Sequence, residues 1–130
     1  MLREHYNTGV EATIDVLGGK WKPVILCHLK DNGTLRTSEL KRAIPNITQK
    51  MLTQQLRELE EDCIIERIVY QQVPPKVEYV LSDYGQSLGN LLSTLCEWGE
   101  FHIEKMYQEG RDVSLEKQDF VHIPSNRQPN

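Results

Sequence analysis

No apolar run in this 130-residue chain approaches the roughly 20 residues that span a bilayer, which excludes a helical membrane span. The apolar core of a signal peptide is also missing. Met1-Leu2-Arg3-Glu4-His5-Tyr6 holds no such core, so a cytoplasmic location is expected. Cysteine is scarce: Cys27, Cys63 and Cys96 form an odd set without short spacing, which suggests neither a disulfide framework nor a zinc site. His5, His28, His102 and His122 are scattered without metal-ligand spacing, and there is no glycine-rich phosphate loop. The expectation is therefore no enzyme, no metal and no cofactor, with His28 and His102 in structural roles. Internal repeats and an interdomain linker are absent as well. A composition of 38% hydrophobic and 26% charged residues excludes collagen, a coiled-coil rod and wholesale disorder.

Charge is present but unevenly placed. From Lys20 to Arg57 stand eight basic residues and two acids, while Asp83 to Asp119 holds eight acids and three bases. A polyanion is attracted to the first block and repelled by the second. Chance clustering of surface charge is the competing explanation.

Apolar spacing organises the rest. Val10, Ile14 and Leu17 predict a helix that stops at Gly18-Gly19. Pro23 sits in the first turn of a second helix, apolar nearly all round and ended by Asp31-Asn32-Gly33. Arg36-Thr37-Ser38-Glu39 starts a short third helix, with hydroxyls able to cap it. Thr48 caps a fourth running to about Asp62, whose Leu52, Leu56, Leu59 and Cys63 are expected to face inward. The period then changes. Ile65 to Gln71 and Lys76 to Leu81 predict a two-stranded ribbon with a Pro74-Pro75 tip. Ser82-Asp83 caps a long helix from Tyr84 to about Gln108, closed by Gly110. The expected division is an N-terminal arm over 1–9, one domain over 10–109 and a loose tail over 110–130.

About 25 residues at 1.5 Å each make that last helix near 38 Å long, more than a small domain is wide. Its apolar stripe continues to the far end, where the chain has little left to cover it. A homodimer is the simplest cover, using Val10, Ile14, Leu95, Trp98, Phe101, His102 and Met106. Folding back of the tail is the alternative.

Helix, turn, helix and ribbon form the order of a winged helix-turn-helix, a mainly α fold with a β wing. With the leucines inward, 100° per residue turns Lys50, Thr53, Gln54 and Arg57 outward and leaves Gln49 in the exposed first turn. These side chains suit base edges and phosphates, and no acid is expected on that face before Glu61. Arg36, Thr37, Ser38, Lys41 and Thr48 are candidate phosphate contacts. Gln72 and Lys76 flank the ribbon tip and can reach the backbone or minor groove; a solvated hairpin end is the alternative. Trp21, Trp98 and Phe101 read as packing anchors.

Five segments together resemble the HxlR family of bacterial transcriptional regulators. They are Val10 to Trp21, Ser38-Glu39-Leu40, Met51 to Leu59, Val73 to Tyr79, and Leu95-Cys96-Glu97-Trp98-Gly99. The resemblance runs in order from about Val10 to Met106. It implies a homodimeric winged helix-turn-helix protein binding a pseudo-palindromic operator, as repressor or activator. Many members carry Cys-Pro just before the Val-Glu-Ala motif, and in several that thiol senses oxidants; Thr8 and Gly9 stand there in this chain. Cys27 and Cys63 are expected to be packing residues, which leaves Cys96 as the candidate redox thiol. A protein-docking module and a small-molecule effector sensor are the rival functions.

Overall fold

The computed structural model describes residues 5–115, and the tail expected beyond 115, His122 included, lies outside the described residues. Residues up to Gly89 form one compact unit, and those from Asn90 form a second.

The first unit opens with α1 (Gly9–Leu17), where the Thr8 hydroxyl accepts the Glu11 N–H at 3.3 Å as the cap. Helix α2 (Lys22–Asn32) carries Pro23 in its first turn and is capped at Gly33, whose φ of +81° suits a residue without Cβ. Strand β1 (Leu35–Arg36) leads into α3 (Thr37–Ala43), and Thr48 caps α4 (Gln49–Glu61) by accepting the Met51 N–H at 3.0 Å. Strands β2 (Ile65–Tyr70) and β3 (Lys76–Leu81) form the wing hairpin, in register from Ile65↔Leu81 to Tyr70↔Lys76. Burial explains the assembly. Ile25, Leu26 and Leu29 of α2, Leu40 of α3, Leu52, Leu56 and Leu59 of α4, and Ile64 and Ile65 are among the buried residues of the core.

The structure extends the two-stranded ribbon to a three-stranded sheet of order β1-β3-β2, with Leu35 opposite Tyr79 and Arg36 opposite Glu78. Two residues are too few to show an alternating pattern, so β1 left no signal in the chain. The cap of α3 also differs from expectation. No hydroxyl caps it; the Glu39 carboxylate reaches back to accept the Arg36 N–H at 2.8 Å, and Thr37 shares a hydrogen bond with Tyr79.

Cys63 is not a core residue. It is exposed, with φ +63°, because α4 ends in a Schellman reversal. The Cys63 N–H donates to the Glu60 carbonyl at 3.0 Å and the Ile64 N–H to the Leu59 carbonyl at 2.9 Å. This turn throws Cys63 outward and leaves Ile64, like Leu59, buried.

The helix expected from Tyr84 is likewise interrupted. A four-residue α5 (Asp83–Gln86) precedes the turn Ser87-Leu88, where the Ser87 and Leu88 N–H groups bond three residues back, to Tyr84 and Gly85. The long helix proper is α6 (Gly89–Gln108). It closes on Gly110 (φ +87°), with the Arg111 N–H donating to the Met106 carbonyl at 3.0 Å. Residues 111–115 then turn back, so that Val113 and Leu115 line a recess with Ile103 and Tyr107. The apolar residues of α6 thus divide into two stripes. Ile103 lies on the one met by this return, while Leu91, Leu95, Trp98 and Phe101 lie exposed on the other. Among the described residues no helix is long and apolar enough to cross a membrane.

Candidate nucleic-acid interface

Helix α4 presents two faces. Leu52, Leu56 and Leu59 are fully buried, and this fixes the rotation of everything else on the helix. Gln49, Lys50, Thr53, Gln54 and Arg57 are exposed, as the 100° spacing predicts. They lie in two adjacent rows. In the first, Gln49, Thr53 and Arg57 follow at four-residue steps, and the Gln49 amide donates to the Thr53 hydroxyl at 3.3 Å. In the second, Lys50 and Gln54 lead to Glu58.

Glu58 corrects the expectation that the face carries no acid before Glu61. Its Oε2 accepts from Gln54 Nε2 at 3.2 Å, and its Oε1 lies 2.7 Å from the Lys22 ammonium. The Lys22 contact, then the Gln54 amide, hold the Glu58 carboxyl below the usual carboxylate range. Lys22 is only 8% exposed and belongs to the first turn of α2, so it is withdrawn from the basic surface that the sequence assigned to it. Lys30 meets Asp31 at 3.2 Å and Lys41 donates to the Pro45 carbonyl at 3.4 Å. Arg36, Arg42, Lys50 and Arg57 are the exposed cations of the α3–α4 segment.

The remaining candidate contacts are less uniform. Ser38 and Thr48 are exposed, although the Thr48 hydroxyl is already the α4 cap. Thr37 is half-buried, and Arg36 stands opposite Glu78 in the sheet register. At the wing, Gln72 and Val73 are exposed, with Val73 at 98%. Lys76 is engaged within the hairpin, 4.7 Å over the Tyr70 ring and 3.4 Å from Glu78. The Tyr70 hydroxyl donates to Glu78 at 2.9 Å, which lowers the carboxyl and raises the phenol. Lys76 therefore brings little net charge to the tip.

Val10 and Ile14 of α1 are 68% and 57% exposed. On α6, Trp98 is 63% exposed and stacks on exposed His102, centroids 5.2 Å apart and 11° from parallel, beside exposed Leu95 and Phe101; Met106 is half-buried. Cys96 is half-buried, its thiol 3.4 Å from a Glu100 carboxylate oxygen. Burial raises the Cys27 thiol, consistent with a packing role. No cluster of three metal-ligating side chains occurs among the described residues.

The family model for HxlR-like helix-turn-helix proteins matches residues 16–107. The chain is 66% identical over 107 residues to the helix-turn-helix-type transcriptional regulator YtcD of Bacillus subtilis, covering 82% of this chain and 84% of that protein. A crystal structure of the YtcD regulator superposes with a TM-score of 0.70 at 67% identity, over 75% of this chain and 98% of the other. The redox regulator HypR in its oxidised form superposes at 0.69 with 53% identity, over 72% and 95%.

Proposed function

Since the chain belongs to the HxlR-like helix-turn-helix family and is a DNA-binding transcriptional regulator, we propose that it acts as a homodimer with α4 of each protomer in the major groove of a two-fold symmetric operator. One observation carries this reading. Three fully buried leucines leave Gln49, Lys50, Thr53, Gln54 and Arg57 exposed on a single capped helix. Arginine pairs bidentately with guanine, glutamine with adenine, and lysine meets phosphate or guanine. The α4 amino terminus adds unpaired backbone N–H groups beside Thr48 for a phosphate.

A second copy is the proposed cover for exposed Val10 and Ile14 on α1 and for the Leu95, Trp98, Phe101, His102 and Met106 face of α6. Regulation is the proposed activity, without a catalytic step. Redox control through the residue before α1 forms no part of this reading. Thr8 has a hydroxyl in place of a thiol, and that hydroxyl caps the helix.

The test is fluorescence anisotropy on duplexes selected from genomic DNA, at several salt concentrations. Arg57→Ala should cost about 1–3 kcal/mol and relax one base preference, while Lys50→Ala should leave one phosphate unneutralised and lower the salt slope by about 1. Wild-type binding by both variants would sink the assignment of α4. Binding without a salt slope would sink the phosphate contacts assigned to α4.

A further inference from the structure

We propose that Glu58 is a positioning residue that orients Gln54 to read adenine, and that buried Lys22 holds Glu58 in place for this. The inference rests on the groove-reading role of α4 proposed above and adds to it one base preference per half-site.

The geometry is a relay in which each carboxylate oxygen has its own partner. Lys22 Nζ lies 2.7 Å from Glu58 Oε1, and Gln54 Nε2 lies 3.2 Å from Glu58 Oε2. Lys22 is anchored in the first turn of α2, where the helix dipole disfavours a cation. The carboxylate from α4 offsets that cost, and the ammonium in turn cancels the negative charge that Glu58 would otherwise turn toward phosphates. An acid can thus stand on this face without repelling DNA.

The relay also decides the amide's orientation, which heavy-atom positions alone leave ambiguous. An ionised carboxylate has no hydrogen to give, so the NH2 of Gln54 must face Glu58 and the Gln54 carbonyl must face away. Adenine offers the N6 amino donor and the N7 acceptor in the major groove. The carbonyl of Gln54 meets the first, and the N–H on the carbonyl's side meets the second. The other N–H of the same amide is the one spent on Glu58. Fixing this amide before binding removes part of the entropy cost of ordering an exposed glutamine.

The test is selection from a randomised duplex pool with the full-length protein, scored by the base frequency at each position. Wild type should favour adenine at one position of each half-site, and replacing that base with 7-deazaadenine should weaken wild type while leaving Gln54→Ala unaffected. Glu58→Gln is nearly isosteric, so its fold should be unchanged by thermal melting. The Lys22 ammonium should then claim the introduced carbonyl, leaving the introduced NH2 against Gln54 and turning the Gln54 amide over. Adenine preference should fall by about tenfold, of the order of one bidentate pair. The double variant Lys22→Met/Glu58→Gln frees the introduced amide to turn back and should restore the preference. A structural role for Glu58 predicts neither the change of base nor its recovery. Glu58→Gln with undiminished adenine preference overturns the relay, as does wild type that reads sequence in a salt-dependent manner without favouring adenine anywhere. If wild type shows no sequence preference at all, the groove-reading role of α4 falls first.

Discussion

Replacing Gly85 with alanine should damage the chain far more than a glycine-to-alanine change in a helix ordinarily does. Gly85 is buried in α5, and a Cβ there would overlap the Ile64 carbonyl oxygen, with that carbonyl's carbon 3.0 Å away and Ser82 Oγ at 3.3 Å. None of these atoms is free to yield. The Ile64 carbonyl accepts the Ser82 N–H at 3.0 Å, the Ser82 hydroxyl lies 2.7 Å from the Cys63 carbonyl, and the Gly85 N–H donates to that hydroxyl at 2.8 Å. Ser82 thereby ties the exit of α4 to the end of β3 and the start of α5. Relief of the overlap means breaking two or three of these bonds at about 0.5–1.5 kcal/mol each, alongside about 1–3 kcal/mol of overpacking strain. The better helix propensity of alanine returns about 1 kcal/mol. The net loss spans about 1–6 kcal/mol, and its middle, about 3.5 kcal/mol, corresponds to a fall in Tm of about 14–28 °C for a domain of this size. Gly89→Ala is the control, because nothing lies within 4 Å of a Cβ built there. Melting followed by circular dichroism should place Gly85→Ala well below wild type and Gly89→Ala at or above it. If the two variants melt together, the backbone contact does not exist as described.

The other outcomes are more direct. Trp98→Glu puts a charge into the exposed face of α6; sedimentation should show the proposed dimer weakened by about 30-fold or more, as for a central aromatic anchor, and undiminished dimerisation would move the proposed interface elsewhere. Burial holds the His28 imidazole below its ordinary 6.5, with Asp31 opposing the shift. The unfolded chain therefore takes up a proton that the folded chain resists, so stability should decline as pH drops below about 6.5 and level off under the depressed value. Denaturant midpoints of His28→Gln should lose this dependence, and an identical slope in the variant would refute it.

What the chain disclosed and what it withheld follow from the range of each interaction. The outward face of α4 was legible because Leu52, Leu56 and Leu59 set a rotation that every intervening residue must obey. The hairpin was legible because alternation and a Pro-Pro tip are local marks. Two helix endings make the limit plain. The α6 reversal at Gly110 could be anticipated, since glycine is the usual occupant of a left-handed position. The same reversal at α4 could not, since its left-handed residue is Cys63, a type with no preference for that conformation. The close approach of the Ile64 carbonyl to Gly85 is a contact between segments that are not neighbours in sequence, and it leaves no local mark. Glu58 belongs to the same class. Its spacing from Gln54 is visible along one helix, but its partner Lys22 comes from α2 and counts, in the sequence alone, as one more cation in a basic block. Periodicity therefore locates the surface proposed to meet DNA, whereas the charge that surface carries is set by contacts between helices.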